Sequence, residues 1–272
     1  SSPTEDGTQS VTITINEYAL NSGTQLTYNS SNASTLADTS EFKYINYDRD
    51  SSGSSVQNPL EVINAHKAYG YGLTGSGITI AIMDSGHWTS HQELAGNSKS
   101  ITTYGTLVAA TGNSVGKDHG LFVASVAAGE DDGTGMQGVA PLASLHLSDY
   151  ANKNSETDFA THWASATDAA ATANATVQNN SWGASNATIA TINTYKTNNS
   201  VTSSTALAAY FTAGGLNSSE SSINAYVESL NNFQDTGVVV FALSNTASHA
   251  DADAHAALPE FYSQLSEAWI TA

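Results

Sequence analysis

Three residues stand where a reactive group would be useful. Asp84 follows a β-prone run at 78–83 and sits in Ile82-Met83-Asp84-Ser85-Gly86. His119 opens a stretch of small and apolar residues in Lys117-Asp118-His119-Gly120-Leu121-Phe122-Val123-Ala124. Asn245 ends the strongest strand-like run, Val238-Val239-Val240-Phe241-Ala242-Leu243-Ser244-Asn245. In open parallel sheets, reactive groups gather just beyond the carboxyl ends of strands. An acid, an imidazole and an amide donor in such places suit general-base catalysis with stabilisation of a developing oxyanion. Taken singly, each has a plainer reading. An Asp or Asn after a strand commonly makes a turn or a helix cap, and a lone His before a helix is more often structural.

Other clusters carry weaker chemistry. His249-Ala250-Asp251-Ala252-Asp253-Ala254-His255 puts two imidazoles and two carboxylates in one short stretch. It could ligate zinc, or hold calcium through its Asp oxygens, and would support a metal-dependent hydrolase; the alternative is a solvated acidic loop. His87 and His91 could pair on a metal if helical, but their place beside Asp84 favours surface or cleft roles. Asp131-Asp132 could hold a structural calcium, although no ligand-loop signature surrounds it. Asp48-Arg49-Asp50 reads as a surface ion cluster. No metal ligand set is assigned, and no cofactor is required.

The elements that must position these groups follow from periodicity. Residues 1–55 are rich in Ser, Thr and Asn and read as an N-terminal extension. It ends in the linker Ser51-Ser52-Gly53-Ser54-Ser55, and its alternating Val11-Thr12-Ile13-Thr14-Ile15 could add a strand. Residues 56–272 form the main domain. Asn58-Pro59 opens a helical stretch that Thr74-Gly75-Ser76-Gly77 ends. Strand and helix then alternate: strands at 78–83, 142–147, 177–182 and 238–242, and helices at 121–128, 158–173 and 222–233. In the last helix Ile223, Tyr226, Val227 and Leu230 share a face. Such alternation predicts an α/β fold with a mostly parallel sheet covered on both faces. The polar segment at about 185–222 is too long for an ordinary connection and reads as a surface insertion with helix near 206–211.

Composition excludes several function classes. The 272 residues hold 25 acidic and 7 basic side chains, a net charge of −18, and Arg49 is the only arginine. That balance repels phosphate backbones and anionic lipid, which argues against nucleic-acid partners and docking on membrane surfaces. The absence of cysteine excludes a disulfide scaffold, a thiol nucleophile and Cys-ligated zinc. No apolar run approaches the ~18 residues of a spanning helix, and no signal peptide is visible at Ser1. The expectation is a secreted or cell-surface bacterial protein whose export signal has been removed.

The neighbours of the three residues resemble the motifs of the subtilisin-like serine proteases. Thr74-Gly75-Ser76-Gly77-Ile78-Thr79-Ile80-Ala81-Ile82-Met83-Asp84-Ser85-Gly86 is similar to the family's Asp motif, with His91-Gln92-Glu93-Leu94 after it. His119-Gly120-Leu121-Phe122-Val123-Ala124-Ser125-Val126-Ala127-Ala128-Gly129 resembles the His motif, and Gly135-Met136-Gln137-Gly138-Val139-Ala140-Pro141 the stretch that follows. Asn180-Ser181-Trp182-Gly183 resembles the substrate-lining strand, and 238–245 the segment ending in the oxyanion Asn. The sequence 257–270 looks like the autotransporter-type exported bacterial branch. The resemblance implies a three-layer subtilisin-like fold and peptide-bond hydrolysis. Asp84 would orient His119, His119 would act as general base and then acid, and the Asn245 side chain would donate to the oxyanion. The backbone of Ser181, Trp182 and Gly183 would hold a polypeptide substrate as an added strand and line the pocket for the residue before the cut.

Three departures stand out. Leu121 and Phe122 bring bulk after the His-Gly pair, and Ser244 replaces the usual Gly before the Asn. The Gly-Thr-Ser-x-Ala-x-Pro nucleophile motif is also missing. Ser248, Ser263 and Ser266 lack its neighbours, and Ser203-Ser204-Thr205-Ala206 lies before Asn245, in the wrong order. Trp269-Ile270-Thr271-Ala272 reads as the opening of a further strand, so the fold is expected to be incomplete at its C-terminal end. The serine is expected on a following segment or a second chain. The competing expectation is a non-catalytic subtilase-like protein that grips extended peptides.

Overall fold

A computed structural model describes residues 26–43, 58–95, 99–112, 116–184, 186–245, 249–265 and 268–272. Its centre is a six-stranded sheet in the order β2-β3-β1-β4-β5-β6. The strands are β1 Thr79–Asp84, β2 Ile101–Tyr104, β3 Ser144–Asp149, β4 Ala175–Asn180, β5 Val238–Phe241 and β6 Trp269–Thr271. Every adjacent pair runs parallel. The fold is α/β with a mostly parallel sheet, as the alternation of strands and helices predicts.

Alternate residues of β1 feed two cores, because successive side chains of a strand point to opposite faces. Ile82 joins Leu145, Leu147, Leu94, Ala124 and Ala128 on the face covered by α4, His119–Ala128. Ala81 and Met83 join the larger core on the other face, built around Trp163 of α5, Phe159–Thr172, and Tyr226, Leu230 and Phe233 of α8, Glu220–Gln234. The apolar face read from 222–233 is the buried face of α8: Ile223, Tyr226, Val227 and Leu230 are all shielded. Asp158 caps α5, accepting the Thr161 N–H at 2.8 Å through Oδ1. Through Oδ2 it takes the Ser222 hydroxyl at 2.7 Å and the Ser219 N–H at 3.1 Å. One carboxylate therefore ties the starts of α5 and α8 together.

The stretch at 185–222 carries two further helices, α6 Ile189–Asn199 and α7 Ser203–Ala213. Ile192, Ala206, Leu207 and Phe211 from these helices are buried in the larger core. Of residues 1–55, the described part forms α1, Ser30–Ala37, which packs on α3, Ala65–Gly70, beside the short α2, Pro59–Val62. Phe42, Leu60, Ala65 and Tyr69 form a small separate core there. The expected strand at 11–15, the linker at 51–55 and the ion cluster at 48–50 lie outside the described residues. α4 is less buried than its composition suggests, since Phe122 is 55% and Val126 38% exposed. Among the described residues, no helix is long and apolar enough to cross a membrane.

The strand order places a topological switch at β1. From β1 the chain moves to β2 and β3 on one side, then to β4, β5 and β6 on the other. The crevice at the carboxyl ends of β1 and β4 is where such sheets bind ligands. Asp84 is the last residue of β1, and Ser181 follows the last residue of β4.

Candidate active site

Local backbone pairing brings His119 to Asp84. The first N–H groups of a helix have no partner within it, and α4 directs two of its own at the loop after β1. Gly120 N donates to Ser85 O at 2.7 Å, and Leu121 N to Gly86 O at 2.8 Å. Gly86 has φ +82, and a Cβ there would strike the Lys117 carbonyl, so the turn requires glycine. The result is a hydrogen bond from His119 Nδ1 to the Asp84 carboxylate, 2.9 Å to Oδ1 and 3.0 Å to Oδ2. Oδ1 also accepts the Ser85 N–H at 2.7 Å.

The two partners sit in different environments. The Asp84 side chain is 2% exposed and that of His119 is 38% exposed. Burial pushes the Asp84 carboxyl above the usual carboxylate range. Hydrogen bonds from His119 and Ser85 oppose that shift, as do the His119 and His87 imidazoles, without cancelling it. An enclosed carboxylate holding one nitrogen of an imidazole that is open on its other side is an arrangement suited to proton transfer.

That open side faces a cavity of about 590 Å³. His119, Ser181, Trp182, Gly183 and Asn245 all line it, and the enclosed Asp84 stands behind them, joined to the cavity through its hydrogen bond with His119. Trp182 is 6% exposed and stacks on Tyr150 with ring centroids 4.7 Å apart, which fixes this wall. Asn179 Nδ2 donates to the Ser181 hydroxyl at 2.9 Å. Ser244 adopts φ +95, a conformation that favours glycine, directly before Asn245. Neither Leu121 nor Phe122 lines this cavity. Phe122 lies instead on an apolar groove with Val126, Val139 and Val177.

Sequence reasoning missed the role of His87, which was expected at the surface or in the cleft. It is 4% exposed, and its Nε2 lies 3.0 Å from the Asp84 carbonyl and 3.1 Å from that of Ser148. It therefore clamps the ends of β1 and β3 beneath the site. The signal available was its position three residues after Asp84. His91 does not join it: the His91 ring packs edge-on to Trp88, and its Nδ1 accepts the Glu93 N–H at 3.3 Å.

Within the stretch at 249–255, Asp253 and His255 pair with each other. His255 is fully buried and Asp253 is 5% exposed, with the Asp253 carboxylate accepting from both the backbone N–H and Nδ1 of His255. Asp251 is exposed. Asp132 accepts the Thr134 N–H and hydroxyl in a local turn. Among the described residues, no group of three or more His, Asp or Glu side chains is placed to hold a metal ion.

Comparison with known proteins points the same way. The family model of the subtilases, Peptidase_S8, matches residues 75–271. An extracellular serine protease of Serratia marcescens is 36% identical over 128 residues, covering 45% of this chain and 11% of that protein. The minor extracellular protease Epr of Bacillus subtilis is 31% identical over 126 residues, covering 46% of this chain and 18% of Epr. The chain thus spans between about a tenth and a fifth of the length of these relatives. Among solved structures, a mutant of the protease domain of PatA aligns with a TM-score of 0.48 at 18% identity, covering 73% of this chain and 58% of that one. With its match over 75–271, this chain belongs to the subtilase family.

Proposed function

We propose that this chain contributes the Asp-His pair, the oxyanion donor and the substrate-binding wall of a secreted serine endopeptidase. The nucleophilic serine is supplied by sequence outside residues 1–272. The observation that carries this reading is the hydrogen bond from His119 Nδ1 to the buried Asp84 carboxylate, on an imidazole that opens into the cavity lined by Asn245. The sequence of residues 1–272 contains no Gly-Thr-Ser motif, which supports a nucleophile from outside them.

In the reaction, the serine oxygen attacks the scissile carbonyl carbon and its proton passes to His119 Nε2. Asp84 keeps the other imidazole proton on Nδ1 and stabilises the imidazolium. The carbonyl oxygen becomes an oxyanion, which accepts a hydrogen bond from the Asn245 side-chain amide. Loss of one such donor costs about 10²–10³ in kcat, a magnitude measured in subtilisin itself. Collapse of the intermediate transfers the proton from His119 to the leaving amine, and water then hydrolyses the acyl-enzyme by the same route. The backbone of Ser181, Trp182 and Gly183 pairs with the extended polypeptide substrate. The chemical step calls for no cofactor, and a bound calcium would have a structural role only. Secretion is supported by the extracellular relatives.

The test is peptide turnover by the full-length gene product and its His119→Ala variant. Turnover that disappears while the circular-dichroism spectrum is retained supports the assignment. Undiminished turnover by His119→Ala would remove it.

A further inference from the structure

We infer that the cavity beside His119 selects substrates with lysine or arginine on the acyl side of the scissile bond, with Asp253 as the recognising carboxylate. This deepens, and rests on, the proteolytic reading above. The cavity that holds His119, Asn245 and the wall at 181–183 also reaches Asp251 and Asp253. Among the described residues, no lysine or arginine lines it. A volume of about 590 Å³ lies within the range of ligand pockets and accommodates a long side chain.

Asp253 is built into the pocket rather than scattered on the surface. Its side chain is 5% exposed, and its Oδ1 receives both hydrogen bonds from His255, at 2.8 and 3.0 Å. Among the described residues, Oδ2 accepts no hydrogen bond, which leaves one oxygen of a buried carboxylate open for a donor. A buried charge without a full set of donors is costly, and a cationic side chain from the substrate would supply them. Gly183 makes room for this: the Asp253 carboxylate stands where a Cβ on residue 183 would go. The carboxylate therefore lies directly against the expected substrate strand.

The support behind Asp253 is rigid. The His255 ring stacks on Phe211 with centroids 4.2 Å apart, and Trp182 and Trp163 lie 4.7 and 5.1 Å away. Its Nε2 is buried without a partner, so the ring's one side-chain hydrogen bond is the one that Nδ1 makes to Asp253. The N-terminus of α6 also opens on the cavity at Thr188, and its partial positive charge would favour an anion. Its first donors are already engaged, however: Ile189 N donates to Ala252 O at 3.1 Å, and Thr191 N to Thr188 Oγ1 at 3.2 Å. Two full carboxylate charges therefore set the sign of the pocket. The overall charge of −18 adds long-range attraction for basic segments.

The experiment uses the full-length protein and four peptides that differ only in the residue before the cut: Arg, Lys, Leu or Glu. Titration with p-aminobenzamidine, an amidinium whose binding needs no catalysis, runs beside it. The proposal expects kcat/KM for Arg and Lys to exceed that for Leu by about tenfold or more. Asp253→Asn should shrink the Arg-to-Leu ratio and weaken amidinium binding, each by about tenfold. A preference for Leu or Glu, or an amidinium Kd unchanged by Asp253→Asn, would overturn it. If no peptide is cleaved, the proteolytic reading fails and the amidinium titration alone decides the pocket. Should Asp253→Asn fail to fold, Asp251→Asn on the exposed side of the cavity is expected to weaken amidinium binding by about threefold. An unchanged Kd there would overturn the proposal.

Discussion

The His87 imidazole occupies the space that a side chain at position 120 would need: a Cβ on Gly120 would fall 2.7 Å from His87 Cε1. Because His87 Nε2 is held by the carbonyls of Asp84 and Ser148, the ring cannot easily give way. The start of α4, and with it His119, is therefore docked against the end of β1 by a contact that only glycine permits.

Gly120→Ala is expected to push the first turn of α4 outward and lengthen the bond between His119 and Asp84. Overpacking of this kind costs about 1–3 kcal/mol. The full-length variant should lose both melting temperature and kcat, as differential scanning calorimetry and peptide turnover will report. Wild-type values of both would mean that His87 yields freely.

Asp84→Asn preserves size but presents an amide to His119 Nδ1, and so favours the wrong imidazole tautomer. In triads of this type the loss is about 10⁴-fold in kcat with geometry intact. Steady-state kinetics should show that drop with KM little changed. A loss below about tenfold would mean that Asp84 does not orient the base.

Ser244→Gly removes a non-glycine residue from φ +95. Relief of that conformation is worth about 1 kcal/mol, so the melting temperature should rise. A fall would indicate that the Ser244 side chain contributes more than its backbone costs.

Two carboxyls give opposite pH dependences. Glu41 is 2% exposed and accepts the N–H groups of Asp132 and Thr134 at 3.1 and 2.6 Å. Burial and a hydrogen bond with Asp131 push it from 4.5 up to about 7. Its proton is held more tightly in the folded protein than in the unfolded chain. Its contribution is therefore complete below pH 4.5, declines as the pH rises towards about 7, and is level above that. Asp158 runs the other way. Burial would raise its pKa, but the donors from Thr161, Ser222 and Ser219 outweigh that and hold it below 3.8. Its contribution is present above pH 3.8 and is lost as the pH falls through the folded value. Urea melts across pH should flatten in the upper window for Glu41→Gln. For Asp158→Ala, about 2 kcal/mol should be lost near neutrality, with less acid sensitivity. Unaltered profiles in both variants would contradict these assignments.

The parts of the fold readable from sequence were those with a strong local period. The β1 run alternates residues that enter different cores, and the apolar positions of α8 recur at helical spacing, so both elements announce themselves. The pairing of Asp84 with His119 was legible because each sits in a dense motif at the end of an element. α6 was not, because it buries only Ile189 and Ile192 in a Thr- and Asn-rich stretch and starts on a Thr188–Thr191 capping box without an acidic residue. The contacts of His87 with Gly120 and of Asp253 with Gly183 were hidden for another reason. They join residues far apart in sequence, and only the sheet order brings them together.

The most direct test of the central claim is fluorophosphonate labelling of the full-length protein, followed by mass mapping of the labelled residue. The account predicts one labelled serine outside residues 1–272, with labelling lost in His119→Ala. No labelling, or a label on a serine within residues 1–272, would contradict it.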